Sequence, residues 1–286
     1  MNVVNLSLKV MLLILVQEDV ISQEKSKNFF GDSRMFLERY LEQPRHIEIQ
    51  ICRDNFGAAL HLGERECSIQ RRHQKILEES PSVAVSNDLR ERMTRAALAL
   101  AQAVGYQSVG TMEMLVEADQ FYFMEVNARL QVEHPGTEMV SGLDLVELQL
   151  RIAANEPLPL TQAGVEPRGH SIECRIYAEQ PQKRFLPSPG KITELRLPRL
   201  DQVRLEFGYQ SGDTVTPYYD PLLGKIIAWG ETRKAAIQRQ DQALSLTHIE
   251  GLSTNLSLQR EILHHPDFVA GRLSTGFLRE ALKYAI

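Results

Sequence analysis

The stretch TMEMLVEADQFYFMEVNARLQVEH, Thr111 to His134, decides how this sequence folds. Two β-rich runs, 112–116 and 121–126, flank the polar triplet Ala118, Asp119 and Gln120, the pattern of a β-hairpin. A turn centred on Asp119 makes paired positions sum to 238, which sets Glu113 opposite Glu125, Leu115 opposite Phe123 and Met114 opposite Met124. Two carboxylates facing one another across a sheet repel, by about 4 kcal/mol at about 4 Å in an effective dielectric near 20. A hard divalent cation bracketed by oxygen ligands relieves that repulsion, and Asn127 brings an amide oxygen to the same face. A solvated sheet face with both glutamates in water is the other arrangement that the spacing leaves open.

The odd positions continue polar, as Glu125, Asn127, Arg129, Gln131 and Glu133, while the even ones are Met124, Val126, Ala128, Leu130 and Val132. Taken as one long strand, this gives a polar face that suits water or a small anion beside a metal. On it Arg129 offers a planar fork and Glu133 a base. Upstream, the cluster QRRHQK, Gln70 to Lys75, follows a strand expected over 58–62. It is either a solvated charge run or an anion site in which Lys75 or His73 holds a phosphate- or bicarbonate-sized ion. His46 shares its strand face with Glu48 and Gln50 and, taken alone, reads as structural.

The rest of the chain bounds the fold class. Its 286 residues are 43% hydrophobic and 24% charged, a globular composition, and 32 basic against 37 acidic residues give a net charge of −5. That balance argues against nucleic acid or an anionic membrane as the main partner. Cys52, Cys67 and Cys174 lack the spacing of a disulfide framework or a zinc site, which fits a reducing cytoplasm. The apolar run from Val3 to Val16 is broken by Lys9 and is shorter than the roughly 20 residues of a membrane span. Alternation at Val4, Leu6, Leu8 and Val10 predicts a strand there instead.

Further strands are expected over 46–52, 109–117, 121–127 and 173–178. Ser86 or Asn87 is placed to cap a helix through Leu89, Met93, Ala97 and Val104 that stops at Gly105. Other helices follow Asp144 to about Asn155, run from Thr232 to about Leu246, and run from Asn255 to His264. Proline and glycine crowd 156–169, so the α+β chain is divided into two subdomains near residue 160.

Four segments, PRHIEIQ (44–50), ECSIQRRHQK (66–75), FMEVNARLQVEHP (123–135) and GHSIECRIYAE (169–179), resemble the biotin carboxylase family. FLPSPGKI (185–192) and PYYDPLLGK (217–225) extend the resemblance, which runs from about residue 23 to the end. It implies the C-terminal half of an ATP-grasp module over 23–160, a biotin carboxylase C-terminal domain over 161–286, and an atypical segment over 1–22. The implied reaction uses ATP, Mg²⁺ or Mn²⁺ and bicarbonate to make carboxyphosphate and then to carboxylate biotin on a carrier. The implied partners are a biotin carboxyl carrier protein, a carboxyltransferase component and a second copy of the chain.

On the matching positions, the resemblance implies that Glu113, Glu125 and Asn127 bind metal. It places Glu38 and Leu41 at the adenine, and His46, Gln70 and His73 on the nucleotide. Lys75, Arg129, Gln131, Val132 and Glu133 then form the bicarbonate pocket, with Glu133 as base, and Arg175 stabilises the biotin enolate.

Departures accompany the match. Gly136 stands where the family usually has Val, Gln180 stands where an acid is common, and no Gly-x-Gly occurs, so the glycine-rich phosphate lid has no counterpart. The expectation is a C-terminal portion of the enzyme, inactive by itself. A non-catalytic piece that serves in assembly is the alternative. Without a Met-Lys-Met attachment motif, the chain resembles the separate subunit of bacterial acetyl-CoA carboxylase in fatty acid biosynthesis. Which acyl-CoA is used stays open.

Overall fold

The computed structural model describes residues 22–29, 31–34 and 40–284; the strand expected at Val4 to Val10 and the expected adenine contact Glu38 lie outside them. The chain forms two compact units, 1–42 and 43–286. In the first, a helix (α1) covers 22–29, Ser26 Oγ donates to the Asp32 carbonyl at 2.7 Å, and Arg34 pairs with the Asp32 carboxylate. Leu41 belongs to this unit.

The second unit is built on one antiparallel sheet. Its strands are β1 (Arg45–Arg53), β2 (Ala59–Arg71), β3 (Gln74–Ser80), β4 (Ser108–Glu117), β5 (Gln120–Asn127), β6 (His170–Tyr177), β7 (Val203–Phe207) and β8 (Leu222–Gly230), in the order β7-β8-β6-β3-β2-β1-β4-β5. The sheet therefore runs unbroken across the proline-rich segment 156–169, because β6 pairs with β3.

One face of the sheet is largely apolar. Ile47, Ile49 and Ile51 of β1 and Met112, Met114 and Val116 of β4 point to it, and α2 (Asn87–Ala103) covers them with Leu89, Met93, Ala97 and Ala101, one residue per turn. Ser86 caps α2 by accepting from the Leu89 N–H at 3.1 Å, and Gly105 ends it at φ +62°. Past β6 the same layer is α5 (Arg233–Leu246) and α6 (Leu256–His264), packed on Cys174, Ile176 and Ile226. Their expected starts hold, with Thr232 and Asn255 at the N-caps.

The opposite face is also buried, yet polar. Its cover is α3 (His134–Ser141), with α4 (Leu145–Ala153) following after its Asp144 cap. This second covered face explains three differences from the sequence expectations. β2 does not stop at Leu62 but runs 13 residues to Arg71, because Arg65 and Gln70 are buried among partners on this face, while Glu64 and Glu66, opposite Ile49 and Ile47 in the register, are buried on the other face with Arg90 and Arg45. The QRRHQK cluster is thus a hairpin, with Arg72 and His73 both at positive φ (50° and 64°), the geometry of a two-residue turn between Arg71 and Gln74. The polar run after Glu125 is a strand only to Asn127; residues 128–133 form a loop and His134 begins α3.

The hairpin at the centre of the sequence argument differs in detail. Glu117 pairs with Gln120 around a two-residue turn, so Leu115 faces Tyr122 and Met114 faces Phe123, not the expected Phe123 and Met124. A β-bulge at Met124 then shifts the register by one, and Glu113 faces Glu125 as expected.

Candidate functional site

Four adjacent strands carry Arg65, Glu48, Glu113 and Glu125 as successive cross-strand partners. The β1 alternation that puts isoleucines under α2 puts His46, Glu48 and Gln50 on this side. Arg65 is fully buried and donates to Glu48 at 2.9 Å, Gln50 at 2.7 Å, Thr137 at 2.8 Å and Gln131 at 3.0 Å. Its planar fork satisfies several acceptors at once, which an ammonium group does less well.

Lys75, the second residue of β3, sends its ammonium into the same space. Nζ lies 2.9 Å from Glu113 Oε1 and 2.7 Å from Glu133 Oε1, and it also pairs with Glu48. Glu133 is the N-cap residue of α3, but its side chain makes no capping bond. Its other oxygen, Oε2, accepts from Arg175 Nη2 at 2.9 Å, and Arg175 Nε donates to Glu78 at 2.6 Å. Lys225 completes the row, donating to the Val132 carbonyl at 2.5 Å and pairing with Glu206 at 2.7 Å.

His46 has Gln70 beside one ring nitrogen and Glu113 near the other. Gln70 Nε2 donates to Nδ1 at 2.7 Å, so the ring hydrogen is on Nε2, which stands 3.0 Å from Glu113 Oε2. Burial by itself would raise the Glu113 carboxyl, but His46 and Lys75 bring it down to about 2. Glu133 is held well below the usual carboxylate range: burial opposes, and Lys75, Arg175 and Arg65 outweigh it. Both are firmly ionised at neutral pH.

Glu113, Glu125 and Asn127 meet at the β5 edge of this network. Asn127 Nδ2 lies 3.0 Å from Glu113 Oε1 and 3.3 Å from Glu125 Oε1, so both carboxylates reach one side-chain amide. Two carboxylates and an amide are an all-oxygen donor set when the amide turns over, which fits a hard divalent cation. Glu125 is exposed, whereas Glu113 already has Lys75 and His46 as partners.

The remaining expected site residues are placed differently. Gln131 is buried and bonds both Arg65 and Glu113, and Val132 contributes its carbonyl. Arg129 is exposed and donates to the Leu130 carbonyl at 3.2 Å, outside the ion network. His73 is exposed in the β2–β3 turn. Leu41 lies in the other unit. Sequence reasoning missed Arg65, Lys225 and the central place of Glu48. The signal for Arg65 was the β1–β2 register, which sets it opposite Glu48, but it needed a strand running past Leu62. A cavity of about 690 Å³ lies elsewhere, lined by Ile237, Leu263 and Val269 and by none of these residues.

Two family models match the chain. Residues 15–161 match the family model for the carbamoyl-phosphate synthase L chain, ATP binding domain, and residues 173–280 match that for the biotin carboxylase C-terminal domain. The chain is 48% identical over 263 residues to a biotin carboxylase of Halalkalibacterium halodurans, covering 92% of this chain and 58% of that protein. It is 48% identical over 266 residues to the mitochondrial methylcrotonoyl-CoA carboxylase subunit alpha of Dictyostelium discoideum, covering 91% of this chain and 38% of that one. Among solved structures it is similar to the biotin carboxylase domain of a thermophilic 2-oxoglutarate carboxylase bound to bicarbonate. The TM-score is 0.91 at 41% identity, with 93% of this chain and 60% of that chain covered. The chain thus spans about 60% of the length of the biotin carboxylases that it matches.

Proposed function

This chain belongs to the biotin carboxylase family, and on that premise we propose that Lys75, Glu133 and Arg175 bind bicarbonate and remove its proton during ATP-dependent carboxylation of biotin. One observation carries the proposal: Lys75 and Arg175 hold opposite oxygens of Glu133, so two cations flank one carboxylate on a buried face.

Two cations offer charge-assisted bonds to a small anion, and the carboxylate between them is the only group of the three that can accept its proton. With Lys75 and Arg175 both on it, Glu133 is too acidic to be a useful base. An anion that takes over those cations removes the field that holds Glu133 down, and its basicity rises as the substrate arrives. Arg175, also anchored by Glu78, keeps its fork in place for negative charge that develops later on biotin.

Bound MgATP would supply the phosphoryl group that activates the anion, and the donor set of Glu113, Glu125 and Asn127 fits its cation. His46, Gln70 and His73 take the nucleotide contacts in the same proposal, and Leu41 and Glu38, the latter outside the described residues, are assigned to the adenine by the family reading. Arg129, exposed beside the network, recruits the anion, and Gln131 and the Val132 carbonyl shape its pocket. The carrier, the carboxyltransferase and a homodimer come with the family reading; a related biotin carboxylase domain is a dimer. The acyl or keto acid is not fixed, since the relatives include methylcrotonoyl-CoA and pyruvate carboxylase subunits. Among the described residues no helix is long and apolar enough to cross a membrane.

Calorimetric titration of the full chain with bicarbonate tests the proposal. The expected result is saturable binding, weakened about tenfold or more in Lys75→Met and in Arg175→Gln, the loss of one charge-assisted bond. Equal affinity in folded variants would refute it.

A further inference from the structure

Glu173 of β6 sits directly opposite Glu78 of β3 in the sheet register. Both side chains are 1% exposed, and neither oxygen of Glu173 nor Oε2 of Glu78 has a hydrogen-bond donor among the described residues. Besides Glu78, the charged groups around Glu173 include Lys225 from β8, Arg175 on its own strand and Glu133 at the start of α3, with the Arg65 side chain of β2 beside Gly136 on the same side. Lys225 does not neutralise it well: Nζ is 3.8 Å from Oε1 and is already spent on the Val132 carbonyl and Glu206. On another side stands Gly136, whose Cβ position is 3.9 Å from Oε2, and the Ser171 hydroxyl near the same point donates to the Gly136 carbonyl instead.

Two ionised carboxylates paired across a dry sheet are costly, and removal of one charge by a proton turns repulsion into an O–H···O bond. We infer that Glu78 and Glu173 share one proton, held on Glu173, and that Glu173 is thereby a positioning residue that leaves the charge of Arg175 free for a second anion. This role rests on the bicarbonate site proposed above. Arg175 already serves Glu78 and Glu133; a third ionised carboxylate beside it would saturate the guanidinium that bonds the base. Burial, and then the neighbouring Glu78, push the Glu173 carboxyl well above the ordinary range, in keeping with this arrangement.

Infrared spectroscopy of the full chain, with glutamate carboxyl groups labelled with carbon-13, reads the shared proton directly. At neutral pH the wild type should show a protonated carboxyl stretch that shifts with the label and is absent in Glu173→Gln. No such band, or a band unchanged by the substitution, would overturn the inference. Where that variant fails to fold, Glu78→Gln decides: with the facing carboxylate gone the shared-proton band should be lost or shifted, and an unchanged band would overturn the inference. The consequence for Arg175 is read from affinity for bicarbonate against pH. Wild type should weaken relative to Glu173→Gln as pH rises, by about threefold or more once Glu173 ionises, because the amide cannot ionise. Parallel profiles would overturn the positioning role. A chain that shows the band yet binds no bicarbonate at any pH would refute the site reading and leave the shared proton standing.

Discussion

Lys75 and Arg175 approach one carboxylate, Glu133, from its two sides, at 2.7 Å on Oε1 and 2.9 Å on Oε2. Neither cation reaches it by local sequence. Lys75 comes from the second residue of β3, Arg175 from the middle of β6, and Glu133 from the N-cap of α3. The site therefore depends on the β3–β6 pairing that joins the two halves of the sheet.

Removal of the Lys75 charge tests how far the network depends on it. Lys75→Met leaves Glu48, Glu113 and Glu133 without their shared ammonium, and a buried carboxylate that loses its partner costs about 3–5 kcal/mol. Melting temperature at neutral pH should fall strongly and recover in part on mild acidification, as the freed carboxylates take up protons. A variant as stable as wild type at neutral pH would show that the network carries little energy.

Acid stability follows from Glu113. Its folded-state value, about 2, is below the ordinary 4.5, so the unfolded chain binds protons more readily between those limits. Its contribution is present above pH 4.5 and lost as pH falls toward 2. Denaturant midpoints of wild type should drop across that window, and those of Glu113→Gln should drop less. Identical slopes would contradict the assignment.

Metal binding separates Glu125 from its neighbours. Because Glu125 is exposed, Glu125→Gln should change stability by no more than about 0.5 kcal/mol, yet weaken Mn²⁺ binding about tenfold or more in an electron paramagnetic resonance titration. Unchanged Mn²⁺ affinity would remove Glu125 from the cation site.

Two glycines make a paired control. An added Cβ at Gly136 meets Ser171, Arg65 and Glu173 at 3.6–3.9 Å, ordinary contact distances inside α3, so Gly136→Ala should stabilise by about 0.5–1 kcal/mol. At Gly169, φ is +70° and an added Cβ would lie 2.4 Å from the Gly230 carbonyl, so Gly169→Ala should lower the melting temperature by several degrees. Opposite signs in calorimetry are the expected outcome.

The elements legible in the sequence were those with one apolar face. α2 was readable because Leu89, Met93, Ala97 and Ala101 repeat at the helical period behind a serine cap, and the structure places its ends within a residue or so of expectation. β2 and β3 were not, because a strand buried on both faces with Glu64, Arg65 and Glu66 inside it looks like a solvated run, and the Arg72–His73 turn uses positive φ without glycine. The Glu113–Glu125 pairing came out as expected by a different route: a tighter turn and a bulge at Met124 cancel. α3 escaped because the polar alternation at Arg129, Gln131 and Glu133 imitates a strand where the chain is in fact a loop. Charge networks of this kind are set by long-range register, so Arg65 and Lys225 become visible only once the sheet order is known.

The most direct test of the anion site is a crystal structure of this chain grown or soaked with bicarbonate. The expected result is a planar anion within hydrogen-bond distance of Lys75 Nζ and Arg175, with the Glu133 carboxylate facing it and at least one of its two present ion pairs given up. An anion bound away from this cluster, with Lys75–Glu133–Arg175 unchanged, would contradict the account.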